Sequence, residues 1–353
     1  MITSSADRWS RTLAVLAGIV ALALNPPAAS SQAAAEPAGV IVIASKAPGM
    51  ITVVGLQEQP TREFKAGYLP HEVVAAGQRV FISNYGSAHV RSSDLTDDPG
   101  NTLSVVDLDR PGSTAETIDL GAGRCAPHGL AVSRDQQLLY VTCEGRQEVL
   151  VIDASSLQIL HAIPTNQAGS HMIVVSADGS RAYVSNFWHG TVSVLDLHAR
   201  SILGHVATGS GTEGIGLSPD GRHAYASSVY INEIVKIDAS TLQVTARAVM
   251  PNCLGAVRVV PTPVDGGTLV VNCADNGRVL LVDAETLKIT REIPVGTLPI
   301  GITVPNDRFA YIANMGDDTI SAIDITGGVV VRTIPAGDEP DGIVFLPDQQ
   351  PSR

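Results

Sequence analysis

The sequence predicts an all-β fold, a seven-bladed β-propeller of four-stranded blades, and three observations carry that expectation. A five-residue strand ending in Asp occurs six times, successive copies lie 41 to 46 residues apart, and no stretch sustains a helical period of apolar residues. A four-stranded sheet repeated at this interval cannot bury both faces alone, so the units must stack face to face around an axis.

The copies are Leu103-Ser104-Val105-Val106-Asp107, Val149-Leu150-Val151-Ile152-Asp153, Val192-Ser193-Val194-Leu195-Asp196 and Ile234-Val235-Lys236-Ile237-Asp238, with two more ending at Asp283 and Asp324. Before each lies an aromatic-led or β-branched strand such as Tyr183-Val184-Ser185-Asn186 or Tyr311-Ile312-Ala313-Asn314, and turn sequences such as Ser218-Pro219-Asp220-Gly221 separate the strands. The recurrent Asp reads as structural, its carboxylate accepting backbone N–H bonds in the turn that follows. Innermost strands begin near Pro70, Pro127, Ser170, Thr212, Ala256, Pro299 and Pro340. The last has no further strands behind it. Residues 40–45, 51–54 and 62–66 supply the missing three, so the C-terminal strand closes a blade begun by the N-terminus.

Tyr140-Val141-Thr142-Cys143, its counterparts at Tyr183 and Tyr311, and the Val-Ser-Val-Leu-Asp strands resemble the YVTN-repeat β-propeller family, in particular its exported bacterial members. The likeness covers nearly all of the chain after its first 33 residues. It implies the fold. It leaves function open, because that family and its neighbours include surface-layer modules, lactonase-like enzymes and cofactor-bearing oxidoreductases.

The four cysteines fall into two equivalent pairs. Cys143 and Cys273 take the Asn place of the Tyr-Val-Thr-Asn pattern in two blades, while Cys125 and Cys253 each precede the first strand of the same blades. A hairpin turning near Asp135 sets Cys143 opposite residue 127, so the expected bridges are Cys125–Cys143 and Cys253–Cys273.

One ring position carries the functional signal. The residue seven before the Asp of each first hairpin turn is His128, His171, Glu213, Ile300 and Asp341 for the turns at Asp135, Asp178, Asp220, Asp307 and Asp348. In the first blade Gln78 holds the turn place and the slot is His71. The fifth blade has a one-residue insertion, leaving Val257 or Arg258. These slots open at one mouth of the central channel, with a polar arc facing an apolar wall, the shape of a small-molecule pocket. Three imidazoles with carboxylates also suit Zn, Cu, Fe or Ni, with His71, His128, His171, Glu213 and Asp341 as candidate ligands. The bland alternative is a wet channel whose histidines bond neighbouring loops. Loops at the same mouth carry Trp188 and His189, which with Arg258 are candidate substrate contacts, and Glu72 and Glu144, candidate general bases. An acidic insertion at 86–101 holds His89, Asp94, Asp97 and Asp98; it could lid the mouth, but lacks the spaced ligands of a calcium loop.

The chain opens as an address. Arg8 and Arg11 precede a twelve-residue apolar run at 13–24, too short to span a bilayer, and Ser31-Gln32-Ala33 fits signal cleavage. The expected organisation is a signal peptide at 1–33 and one propeller domain at 34–353, periplasmic or secreted, monomeric and without a membrane span after cleavage. A formal net charge of −12 argues against nucleic acid as a partner. No Cys-x-x-Cys-His is present for c-type haem, and no phosphate-binding loop for a nucleotide cofactor. The functional expectation is metal and small-ligand binding at one mouth, with metal-assisted hydrolase, lyase or oxidase chemistry. The alternatives are a non-catalytic module docking a periplasmic protein or a glycan, or a metal-free lactonase-like hydrolase.

Overall fold

The computed structural model describes residues 35–57, 59–86, 99–110 and 115–348. The leader at 1–33 and the four acidic-insertion residues named above lie outside these. Seven four-stranded antiparallel sheets follow one another around a ring. Their innermost strands are Pro70–Ala76, Pro127–Val132, Ser170–Val175, Thr212–Leu217, Ala256–Pro261, Pro299–Thr303 and Pro340–Pro347. Each packs against the next, and Pro340–Pro347 packs against Pro70–Ala76 to complete the circle. We number blades 1 to 6 from the strand beginning at Pro70.

The remaining, closing blade joins Pro340–Pro347 to Gly39–Ser45, Met50–Gly55 and Arg62–Lys65. Val42 pairs with Val344 and Ile43 with Ile343, so one sheet ties the two ends of the ring together. A single 3-10 turn, Ala274–Asn276, is the only helical element among the described residues. No helix among them is long and apolar enough to cross a membrane.

The second and third strands alternate β-branched and small residues that are buried on both faces, and they meet the neighbouring blade rather than water. One core cluster joins Phe81, Leu103 and Val105 of blade 1 to Leu139, Val141 and Leu150 of blade 2. Each blade thus uses its neighbour as the second layer that a lone sheet lacks. The recurrent Asp does what the sequence suggests: Asp153 Oδ1 accepts from the backbone N of Ser155 and Ser156 at 3.0 and 2.7 Å, and Asp238 repeats this with Ser240 and Thr241. Both disulfides form as expected, Cys125–Cys143 and Cys253–Cys273.

Candidate metal centre

Every innermost strand enters its sheet through the same irregularity. In blade 2, Pro127 pairs with Cys143, then His128 and Gly129 stand unpaired before Leu130 resumes with Val141. The same two-residue interruption follows Pro70, Ser170, Thr212, Ala256 and Pro299, and the closing blade has its own shift after Pro340. Such a bulge frees the first unpaired side chain from the alternating strand pattern and turns it to the channel. This register resolves the fifth blade. Val257 is the slot, and Arg258 occupies the place that is Gly129, Gly214, Gly301 and Gly342 elsewhere and Glu72 in blade 1. The extra residue lies in the following turn, where Thr262 N bonds Thr268 O across one more residue than Ser133 N to Leu138 O.

The Ser or Thr third in the Tyr-Val-Thr-Asn pattern holds the bulge. Thr142 Oγ1 accepts from Gly129 N at 2.8 Å and donates to the carbonyl of His171 in the next blade at 2.6 Å. Ser185 does the same between Met172 N and Glu213 O. A repeat residue with no chemistry of its own thereby fixes adjacent slots relative to each other.

The slots bring the three histidines together. The rings of His71 and His128 have centroids 4.1 Å apart, those of His128 and His171 3.6 Å, and all three are buried. His71 Nδ1 bonds Asp341 Oδ2, which also takes Lys46 Nζ at 2.5 Å. His171 Nδ1 bonds Glu144 Oε1 at 2.5 Å, and Glu144 Oε2 accepts from the Tyr85 hydroxyl at 2.8 Å. His171 Nε2 stands 3.9 Å from Glu213 Oε1, beyond hydrogen-bond reach. His128, between the two, has neither ring nitrogen hydrogen-bonded among the described residues. Ligand atoms of His71, Glu72 and His128 lie within 4.8 Å of one another, as do those of His128, Glu144 and His171.

The electrostatics follow from burial and these partners. Burial pushes the His128 imidazole well below its ordinary pKa, and the cations around it push the same way. Burial also lowers His71, outweighing the pull of Asp341. At His171 burial works against the protonated form, yet Glu144 and Glu213 prevail and lift its pKa to about 9. Burial alone would raise Asp341, but His71 and Lys46 hold it well below the usual carboxylate range.

The geometry gives several candidate residues partners of their own. Asp341 and Glu144 each hydrogen-bond an imidazole. Glu72 and Arg258 form a buried ion pair, and Arg258 Nη1 lies 3.6 Å from Glu213. His189 does not join the cluster in any described contact; its Nδ1 accepts from Ala168 N at 2.6 Å and braces a loop. Trp188 is about half exposed and reaches the cluster only through Phe187, whose ring lies 4.7 Å from it and 5.7 Å from His171.

Lys46 and Tyr85 are functional neighbours the sequence reading missed. Both follow the second-strand residue that pairs with the start of the innermost strand, Ser45 with Pro340 and Asn84 with Pro70, as Glu144 follows Cys143. In every blade this residue donates its N–H to the carbonyl two before the slot: Lys46 to Glu339, Tyr85 to Leu69, Glu144 to Ala126, Phe187 to Gly169. Extending the rule that found Glu144 around the ring would have found them.

The fold and this ring of slots define a seven-bladed β-propeller with a candidate metal centre at one mouth of its channel. A family model for the cytochrome D1 heme domain matches residues 134–256, a stretch that includes His171 but not His71 or His128. The chain is similar to a seven-bladed beta-propeller protein of Mycobacterium tuberculosis, 28% identical over 119 residues that cover 33% of this chain and 30% of that one, so the match spans under a third of that relative's length. Among solved structures, hydrazine synthase of Kuenenia stuttgartiensis superposes with a TM-score of 0.64 at 20% identity, covering 79% of this chain and 95% of that one. A functionally unknown protein of Desulfotomaculum acetoxidans gives 0.70 at 13%, covering 88% and 100%. Virginiamycin B lyase of Staphylococcus aureus gives 0.64 at 16%, covering 79% and 91%. At these identities the structural likenesses speak to fold alone.

Proposed function

We propose that this propeller is an exported metalloprotein holding a transition-metal ion, Zn, Cu, Fe or Ni, on His71, His128 and His171, and that it acts on a small ligand bound beside the ion. One observation carries the reading. The two outer imidazoles have Nδ1 taken by carboxylates, Nε2 of His171 has no hydrogen bond among the described residues, and the central imidazole is buried with neither nitrogen hydrogen-bonded among them. Carboxylate to Nδ1 with Nε2 left open is how metal-binding histidines are usually oriented. A buried polar group without a partner costs about 1–3 kcal/mol, which a bound cation would recover at His128. The charge balance points the same way. Once His171 serves as a neutral ligand, Asp341, Glu72, Glu144 and Glu213 outnumber Lys46, Arg258 and the more distant Arg124, so a metal cation would replace the proton that these carboxylates otherwise hold on His171.

When bound, such an ion supplies Lewis acidity or an activated water, which suits hydrolase, lyase or oxidase chemistry. The chain's own part is positional. Asp341 and Glu144 set the imidazole tautomers, Tyr85 and Lys46 hold those carboxylates, and Glu213 or Glu72 stands near enough to serve as a further ligand or a base. The haem-domain match omits two of the three histidines and adds no support for haem. The test is elemental analysis of untagged protein from an export host, beside the triple variant His71→Ala, His128→Ala, His171→Ala. Near-stoichiometric metal in the wild type and none in the variant is expected. Metal in neither, even after soaking, sinks the reading and leaves the docking module or a metal-free lactonase-like hydrolase.

A further inference from the structure

The rim of the same mouth over blades 3 and 4 carries a built aromatic ledge that the metal centre does not use. Phe187 is buried, and its ring contacts Trp188 at 4.7 Å and Tyr230 at 5.4 Å, both edge-on; Trp188 and Tyr230 are 46% and 49% exposed. Neither is loosely held. Trp188 lies over Gly169, where a Cβ would come within 2.6 Å of its ring, and Tyr230 lies over Gly211, where the distance would be 2.7 Å. Both glycines have positive φ, 71° and 74°, so the loop backbone is shaped to seat an aromatic side chain with a face left to solvent. Exposed rings already fixed in place bind a flat partner at little entropic cost.

The ledge is continuous with the imidazoles through Phe187, 5.7 Å from His171, and with the apolar slot wall of Val257 and Ile300. Beside Val257 stands Arg258, a buried guanidinium paired with Glu72 through Nη2, whose Nη1 lies 3.6 Å from Glu213 and has no hydrogen-bond partner among the described residues. A ligand spanning this path meets flat apolar surface at one end and a cation with the metal ligands at the other. We infer that the site takes an aromatic carboxylate, its ring on Trp188 and Tyr230 and its head toward Arg258 and the three imidazoles. This rests on the metal reading, because an added cation offsets the carboxylates of Glu72 and Glu213 that flank Arg258.

Full-length protein carrying Trp9→Phe keeps Trp188 as its one tryptophan. Elemental analysis records its metal content. Benzoate and acetate are then titrated by calorimetry against protein as purified and against chelator-stripped protein, with Trp188 emission followed for each. Benzoate is expected to bind the metal-loaded protein about tenfold more tightly than acetate and to shift Trp188 emission. Tyr230→Ala should erase most of that preference while leaving metal content and acetate affinity unchanged. Equal affinity for the two carboxylates with metal in place overturns the inference and spares the metal centre. So does benzoate binding that leaves Trp188 unmoved and ignores Tyr230→Ala. A protein that takes no metal yet prefers benzoate through Trp188 overturns only the metal reading. One that takes neither overturns both.

Discussion

The two halves of the mouth repeat one slot geometry and differ chiefly in side chains. From the closing blade to blade 4 the slots hold Asp341, His71, His128, His171 and Glu213; in blades 5 and 6 they hold Val257 and Ile300. The residues after the second strands divide in a similar way, with Lys46, Tyr85 and Glu144 against Phe187, Val229, Ala274 and Met315. The same bulge and the same loop hydrogen bond recur in both halves. Geometry is therefore the property of the repeat, while chemistry belongs to the letter each blade places in a preset position. A polar half of this kind carries unpaired buried atoms and opposed charges. The apolar half stabilises by packing.

Equivalent substitutions in the two halves should then do opposite things. The largest effect is expected from His128→Ala, which should reduce metal content to background by elemental analysis. Metal-free stability in urea should change by no more than about 1 kcal/mol, because lost packing is offset by removing unpaired nitrogens. The disulfides sharpen the contrast between blades. Cys125→Ser with Cys143→Ser in blade 2, or Cys253→Ser with Cys273→Ser in blade 5, should each cost about 3 kcal/mol in denaturant. Only the blade 2 pair, which adjoins Glu144, should also weaken metal binding; equal loss of metal in both would break the division.

Glu144→Gln and Asp341→Asn should each lower metal affinity by about 10–100-fold in a chelator competition, with the fold retained. Val257→Ala is the mirror of the histidine substitution: metal content unchanged, stability down by about 2 kcal/mol. A loss of metal there would join the two halves into one cooperative site. The smallest effect is common to both. The turn hydrogen bonds depress Asp153 and Asp178 to about 2, and those from Thr286 lower Asp283 of blade 5 as well. Since the folded value lies below the ordinary one of about 3.9, their stabilisation is present above pH ~4 and is lost as pH falls toward 2. The gap in urea midpoint between wild type and Asp178→Ala should accordingly close over that interval.

Much of this was legible because the repeat is legible. The strand starts at Pro70, Ser170 and Pro340 and the N-terminal strands fell where the Asp spacing put them, since period-2 burial and tight turns fix strand positions locally. The cysteine pairs followed from equivalence of position in two blades. Lys46 and Tyr85 stayed hidden because the position after the second strand has no constant residue to mark it. Arg258 and Val257 could not be told apart by counting, because an inserted turn residue and a shifted strand look alike in one dimension. His189 is a candidate substrate contact by its place beside Trp188, and counting along the chain gives no sign that its Nδ1 accepts from the backbone of Ala168.

By itself the sequence determined the repeat, the ring closure, the two bridges and the letters in the slots, all set by local hydrogen bonding and alternation between buried and exposed faces. Only the tertiary structure decided which nitrogen of each histidine is occupied, that His128 is left without a partner, and that Arg258 crosses from blade 5 to Glu72 in blade 1. Those facts depend on contacts between blades distant in sequence, where distance and direction, rather than residue identity, determine what a side chain can bind.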